Sequence, residues 1–188
     1  MEDIPRQLIE QAQSGDMAAF EQIYRATAGF VYSVALRITG SAEEAQEATQ
    51  DVYMKVYRSI DKFEFRSQFK TWLYRIAANT AINAYNRQSR DFRRRDDFDA
   101  ILAVVPAKDD IAAEVSGREE RRLAEGRLQS LLDRLNPDQR ACLVLREIEG
   151  LSYEEISQAL RCNLNTVRTR LKRAREALMQ LSSERTSP

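Results

Sequence analysis

Apolar residues recur at intervals of three and four along almost the whole of this chain, in two blocks separated by one stretch where the period is lost. A period near 3.6 places them on one face of a helix, whereas a half-buried strand needs strict alternation, which is nowhere sustained here. Six glycines and four prolines in 188 residues leave few helix breakers. The expected fold is therefore all-α: two small helical domains joined by a flexible linker, with boundaries at 1–92, 93–120 and 121–188. A hydrophobic content of 43% is enough for packed cores.

In the first block, Ala18 to Arg37 reads as a helix offering Phe20, Ile23, Tyr24, Val31, Val34 and Leu36 to a core. Gly40 and Ser41 separate it from an amphipathic helix of four turns. There Ala45, Ala48, Thr49, Val52, Tyr53, Val56 and Tyr57 share one stripe, and Glu43, Glu44, Glu47, Asp51, Lys55 and Arg58 fall outside it. Phe63 to Phe69 is aromatic, polar and aperiodic. A further helix is expected from about Lys70 to Gln88, with a packing stripe of Phe69, Leu73, Ile76, Ala77, Thr80 and Ala84. Its polar stripe holds Trp72, Arg75, Asn79, Asn83, Asn86 and Arg90.

Between about Asp91 and Glu120 the periodicity decays, interrupted by Pro106 and Gly117, and the segment reads as a linker. Its apolar run Ile101 to Val105 is unusual for a free tether and points to docking on a partner or a domain. The second block resumes near Arg121, with Leu123, Leu128, Leu131, Leu132 and Leu135 spaced for one buried face. Asn136 as N-cap and Pro137 at the first position open a helix expected to run to Glu149 and stop at Gly150. Ser152 with Glu155 forms a capping box for the next, short helix, whose apolar face is Ile156, Ala159 and Leu160. Arg161, Cys162 and Asn163 end it, and a last helix runs from about Leu164 to Leu181.

Two short helices joined by a tight turn, the second rich in arginine, have the form of a helix-turn-helix DNA reader. On the last helix Val167, Leu171, Ala174 and Leu178 share a face, while Asn165, Arg168, Thr169, Lys172 and Arg173 cluster opposite. Arginine and lysine pair with guanine edges, asparagine with adenine, and the threonine methyl with thymine. Arg170 and Arg175, at the borders, suit phosphates. The 29 basic and 29 acidic residues cancel overall, but Asn163 to Arg175 carries five cations and no acid, and Arg87 to Arg95 carries five arginines against Asp91.

The chain has no histidine, nucleophile elbow, phosphate-cradling glycine loop or metal-ligand cluster, so neither an enzyme nor a bound cofactor or metal is expected. Cys142 and Cys162 read as buried or incidental thiols in a reducing compartment. The start, MEDIPRQLIE, is acidic where a secretion signal is basic and then apolar. No apolar run reaches the roughly 18 residues of a membrane span, so the cytoplasm is the expected location.

The segment EEAQEATQDVYMKVYRSIDKFEFRSQFKTWLYRIAANTAINAYNRQSR resembles region 2 of the sigma factors, and LSYEEISQALRCNLNTVRTRLKRAREAL resembles region 4. Their order and separation, without an intervening region 3, are similar to the extracytoplasmic-function group. The resemblance implies a first domain that binds the beta-prime clamp helices of core RNA polymerase and the minus-ten promoter element. It implies a second domain that reads the minus-thirty-five element beside the beta flap, and an anti-sigma factor as partner. Carried onto this sequence, the minus-ten residues are Phe63, Phe65, Trp72, Arg75, Asn79, Asn83, Arg87 and Arg90, with Trp72 either stacking on a base or anchoring the core. The minus-thirty-five residues are Asn165, Arg168, Thr169, Arg170, Lys172, Arg173 and Arg175, and the polymerase contacts are Glu47, Gln50, Asp51 and Met54. Two rival readings stand beside this one: a helix-turn-helix regulator with an unrelated N-terminal bundle, and a polymerase adaptor that reads no DNA.

Overall fold

The computed structural model describes residues 3–96 and 126–184, with side chains through 88 in the first segment and through 180 in the second. The expected linker from 97 onward, with Ile101 to Val105 and Leu123, lies outside the described residues. Among those described there is no strand. The helices are α1 (Arg6–Gln13), α2 (Met17–Thr39), α3 (Ala42–Ser59), α4 (Phe69–Asp96), α5 (residues 126–132), α6 (Pro137–Leu143), α7 (Tyr153–Leu160) and α8 (Leu164–Glu184). A short 3-10 turn, Ile60–Lys62, follows α3.

Local chemistry sets most of the boundaries. The Asp16 carboxylate accepts from the backbone N–H groups of Ala18 and Ala19 at 2.8 and 3.2 Å, capping α2. Gly40, at φ +79°, ends α2 in the left-handed region, its N–H donating to the Leu36 carbonyl at 2.8 Å. Ser41 then caps α3, whose first turn holds Glu43 and Glu44 against the positive end of the helix dipole. Helix α1 was not anticipated from sequence, because two turns are too short for the period to stand out. It still buries Ile9 and Ala12 and packs on α2.

Helices α2, α3 and α4 form the first core. Ile23, Val31, Val34 and Ile38 of α2 meet Ala45, Val52 and Val56 of α3 and Leu73 and Ala77 of α4, all withdrawn from water. Burying each of the larger side chains is worth about 1.5–3 kcal/mol. Tyr57, expected on the buried stripe of α3, is 55% exposed, because the stripe is wider than the α2–α4 surface that covers it. Its ring instead meets the edge of Phe20 at 5.3 Å.

Two further departures concern α4 and the helix after Pro137. Helix α4 continues eight residues past Gln88, to Asp96, and it is not divided into one packing and one polar stripe. Thr71, Tyr74, Ala78 and Ala81 are buried as well, because α7 packs against α4 from the other side. Instead of running regularly to Glu149, the helix after Pro137 widens over Val144–Ile148 into π-type bonding, the Glu149 N–H reaching the Val144 carbonyl at 3.1 Å.

Beside the apolar packing of α7 on α4, polar groups join the two halves. The Tyr74 hydroxyl donates to Glu149 Oε2 at 2.5 Å, and the Asn79 amide donates to the Ala159 carbonyl at 2.7 Å. Arg140, only 1% exposed, donates to the Ile38 carbonyl at 2.8 Å and lies over the Tyr85 ring at 5.2 Å. Burial lowers its pKa, and Asp133, 3.2 Å away, acts against that shift.

A Cβ added at Gly40 would stand 2.8 Å from Asp133 Oδ1, at a backbone angle that L-residues resist. Gly40→Ala is therefore expected to destabilise the protein by about 1–2 kcal/mol or more, read as a lower urea midpoint at unchanged slope.

Candidate nucleic-acid interface

The second half builds a helix-turn-helix. Both arms of the capping box form: the Glu155 N–H donates to Ser152 Oγ at 3.1 Å, and the Ser152 N–H donates to Glu155 Oε2 at 2.8 Å. The Ser152 backbone bond, ahead of other causes, holds the Glu155 carboxyl below its ordinary value of 4.5. Arg161 takes the left-handed conformation at φ 49°, and the turn is closed by Ser157 Oγ donating to the Cys162 carbonyl at 2.6 Å. Asn163 opens α8, its Oδ1 accepting from the Thr166 N–H at 2.7 Å.

Ala141, Cys142 and Leu145 from α6 and its π turn, Ile156 and Ala159 from α7, and Val167, Leu171 and Ala174 from α8 are buried together. With that face of α8 consumed by packing, Asn165, Arg168, Thr169, Lys172 and Arg173 stand exposed on the other, as the sequence indicates. Arg168 donates to Asn165 Oδ1 at 3.2 Å, and Thr169 Oγ1 donates to the Asn165 carbonyl at 2.8 Å. Arg170 and Arg175 differ from these five. Arg170 pairs with Asp138 at 3.0 Å and Arg175 with Glu147 at 2.6 Å, so both tie α8 to α6 and its π turn. The Cys142 thiol is buried and pushed up to about 12, chiefly by that burial, and the Cys162 thiol is raised for the same reason, which suits inert thiols.

On the first half, Trp72, Arg75, Asn79 and Asn83 of α4 line a cleft of about 500 Å³ together with Lys55, Lys62, Thr80 and Arg161. Among the described residues, four cations and no carboxylate face it. Lys55 and Lys62 are functional candidates the sequence reading omitted; the position of Lys55 off the apolar stripe of α3 could have flagged it. Arg161 enters from the other half, which no local pattern reveals. Lys55 Nζ donates to Thr80 Oγ1 at 2.9 Å.

Trp72 is 8% exposed and packs against Phe63 and Phe69, with ring centroids 5.3 and 5.5 Å away. Of the two roles open to it, the core role holds in this conformation, with one edge facing the cleft. Phe63 is also buried. Phe65, half-buried with its ring centroid 4.9 Å from that of Phe63, takes φ 55°, an uncommon angle for a bulky residue, under the Arg6 guanidinium at 4.5 Å. Arg87 is exposed, 3.8 Å from Glu47, whereas the Arg90 side chain lies outside the described residues. Glu47, Gln50, Asp51 and Met54 all stand exposed on α3.

Residues 23–91 match the family model of Sigma-70 region 2, and residues 125–178 match that of Sigma-70, region 4. The chain is 36% identical to the RNA polymerase sigma-H factor of Pseudomonas aeruginosa, over 92% of this chain and 91% of that protein. It is 38% identical to the ECF RNA polymerase sigma-E factor of Escherichia coli K12, over 91% of this chain and 90% of that one. The chain belongs to the extracytoplasmic-function sigma factor family. Among solved structures, CnrH in complex with the cytosolic domain of CnrY aligns with a TM-score of 0.66 at 25% identity, covering 95% of this chain and 97% of that one. The sigma factor RpoE of Bartonella quintana, solved with the anti-sigma factor NepR, shares the fold with a TM-score of 0.62 at 24% identity, covering 87% and 96%. Region 2 thus includes the cleft-lining α4, and region 4 is the helix-turn-helix.

Ser152→Ala removes one arm of the cap that positions α7 and is expected to cost about 1 kcal/mol in a denaturant melt. Because Glu155 titrates lower folded than unfolded, its stabilising contribution is complete above pH 4.5 and is lost as pH falls through its folded value. Glu155→Gln should flatten that acid limb.

Proposed function

We propose that this protein is an alternative sigma factor that binds core RNA polymerase and directs promoter-specific transcription initiation, without catalysing a reaction of its own. The observation that carries this reading is the presence of both sigma regions, in order, in a chain that aligns with two sigma factors over nine-tenths of its length. Residues 1–92 form the region 2 domain, 93–120 the linker and 121–188 the region 4 domain. In this reading α8 enters the major groove of the minus-thirty-five element. Asn165, Arg168, Thr169, Lys172 and Arg173 face the base edges, and Arg170 and Arg175 exchange their carboxylate partners for phosphates or remain as braces.

The minus-ten strand lies along α4 and its cleft, where Arg75, Asn79, Asn83, Arg87 and Arg90, with Phe63, Phe65 and Trp72, offer hydrogen bonds, charge and aromatic surface to an unstacked strand. Glu47, Gln50, Asp51 and Met54 meet the beta-prime clamp helices, and region 4 meets the beta flap. Such a protein works in the cytoplasm, where polymerase and promoter are. Among the described residues no helix is long and apolar enough to cross a membrane. An anti-sigma factor is the expected regulator; CnrH was solved bound to the cytosolic domain of CnrY.

Transcription in vitro with purified core polymerase on a promoter library tests the reading. Protein-dependent transcripts sharing two spaced upstream motifs are expected, and a competent core that yields none would overturn it. Arg168→Ala and Lys172→Ala should each cost about 1–3 kcal/mol of discrimination at the upstream motif while leaving the downstream motif unchanged, read from transcript yields on single-base promoter variants. Equal yields from every upstream variant would instead favour an adaptor that reads no DNA.

A further inference from the structure

We propose that Gln13, on the short helix α1, is a positioning residue for promoter reading: its amide sets the conformation of the loop 63–68 and, with it, the base preference at the minus-ten element. This rests on the sigma-factor reading above, which assigns Phe63 and Phe65 of that loop to the minus-ten strand. It adds a residue that acts through the loop and not by touching DNA.

Gln13 takes hold of the loop where it begins. Its amide nitrogen donates to the Ile60 carbonyl at 2.8 Å and to the Phe63 carbonyl at 2.7 Å, so both amide hydrogens are spent on backbone far away in sequence. Those carbonyls belong to the first residue of the 3-10 turn Ile60–Lys62 and to the residue that ends it, and the Phe63 N–H closes the turn on the Ile60 carbonyl at 3.1 Å. One side chain thus fixes where the chain leaves α3 and in which direction the loop sets out.

Helix α1 is a firm base for this hold. Ile9 and Ala12 are buried as α1 packs on α2, and Leu8 lies against the same core. The Ser14 N–H donates to the Glu10 and Gln11 carbonyls at 3.1 Å, which ends the helix directly after Gln13. From the first turn of α1, the Arg6 guanidinium lies over the Phe65 ring, 4.5 Å from its centroid. The same helix therefore meets the loop twice, at the Phe63 backbone and at the Phe65 ring.

What it holds is a strained conformation. Phe65 takes φ 55°, where the Cβ of an L-residue crowds its own backbone, and a loop free to relax would leave that region. Such a residue persists only where its surroundings over-determine it. On the far side of the loop the Phe69 and Trp72 rings are buried with centroids 5.5 Å apart and anchor the start of α4. Gln13 pins one end of the loop and these rings pin the other. Phe65 is carried between them as a preset aromatic surface, with no ordering left to be done when a base arrives. A fixed ring favours the base that fits it, whereas a loop free to adjust accommodates several.

Transcription in vitro with the full chain and core polymerase, on single-base variants of each promoter motif, tests the assignment. Gln13→Met keeps the length of the side chain but donates nothing, and Gln13→Lys keeps a donor within reach of both carbonyls. In Gln13→Met the yield differences among downstream-motif variants should shrink by about threefold or more, while those among upstream-motif variants stay as they are. Gln13→Lys should bring the downstream preference back to within about twofold of the unaltered protein. Gln13→Glu, which also lacks a donor, should repeat the loss and carries the test if Gln13→Met does not fold. An unchanged downstream preference, a loss spread equally over both motifs, or a Gln13→Lys protein as unselective as Gln13→Met would each sink the positioning role and leave the sigma reading intact. Absence of transcription by the unaltered protein would remove both.

Discussion

A helix that is apolar on most of its circumference has to be covered on most of its circumference. Helix α4 meets this constraint along its first half, where Phe69, Trp72, Leu73, Tyr74, Ala77, Ala78 and Ala81 are all buried. Helices α2 and α3 cover one side of it and α7 covers another. Both halves of the protein are built on this one helix, and the rest of the architecture follows from it. The aromatic cluster of Phe63, Phe69 and Trp72 forms where α4 begins, and the cationic cleft forms where α3 and α7 flank it.

Helix α8 is the opposite case. One face is consumed by α6 and α7, and the other is left with polar and cationic side chains that stand exposed among the described residues. A helix that reads DNA needs that asymmetry, because the groove admits one free face while the packed face fixes its angle. The two boundary arginines add to the fixing. Arg170 and Arg175 lean on Asp138 and Glu147, so the segment that supplies the positive face also braces it against α6 and its π turn.

The two interfaces of α4 differ in kind. Against α2 and α3 it meets Ile, Val and Ala side chains whose separation would expose a large apolar area. Against the second half it meets the Glu149 carboxylate and the Ala159 carbonyl, while Arg140 enters beside Tyr85. Those polar groups add direction to a contact that also buries Ala78 and Ala81 of α4.

Much of this was legible in the sequence because it is local. Asn136, Pro137, Ser152 with Glu155, and Gly40 with Ser41 set helix ends through bonds between residues a few positions apart, and the period along α8 fixed which of its residues face out. What tertiary structure alone decided is which polar faces stay open. The asparagine stripe of α4 reads as polar, and α7 arrives on it from eighty residues away; Arg140, on which the sequence pattern is silent, is enclosed by Ile38 and Tyr85. Trp72 joins a core assembled by a loop with no period to read. Periodicity reports that a face is apolar or polar, but the covering of a polar face depends on a partner distant in sequence whose groups satisfy it, and that pairing exists only once the chain has folded.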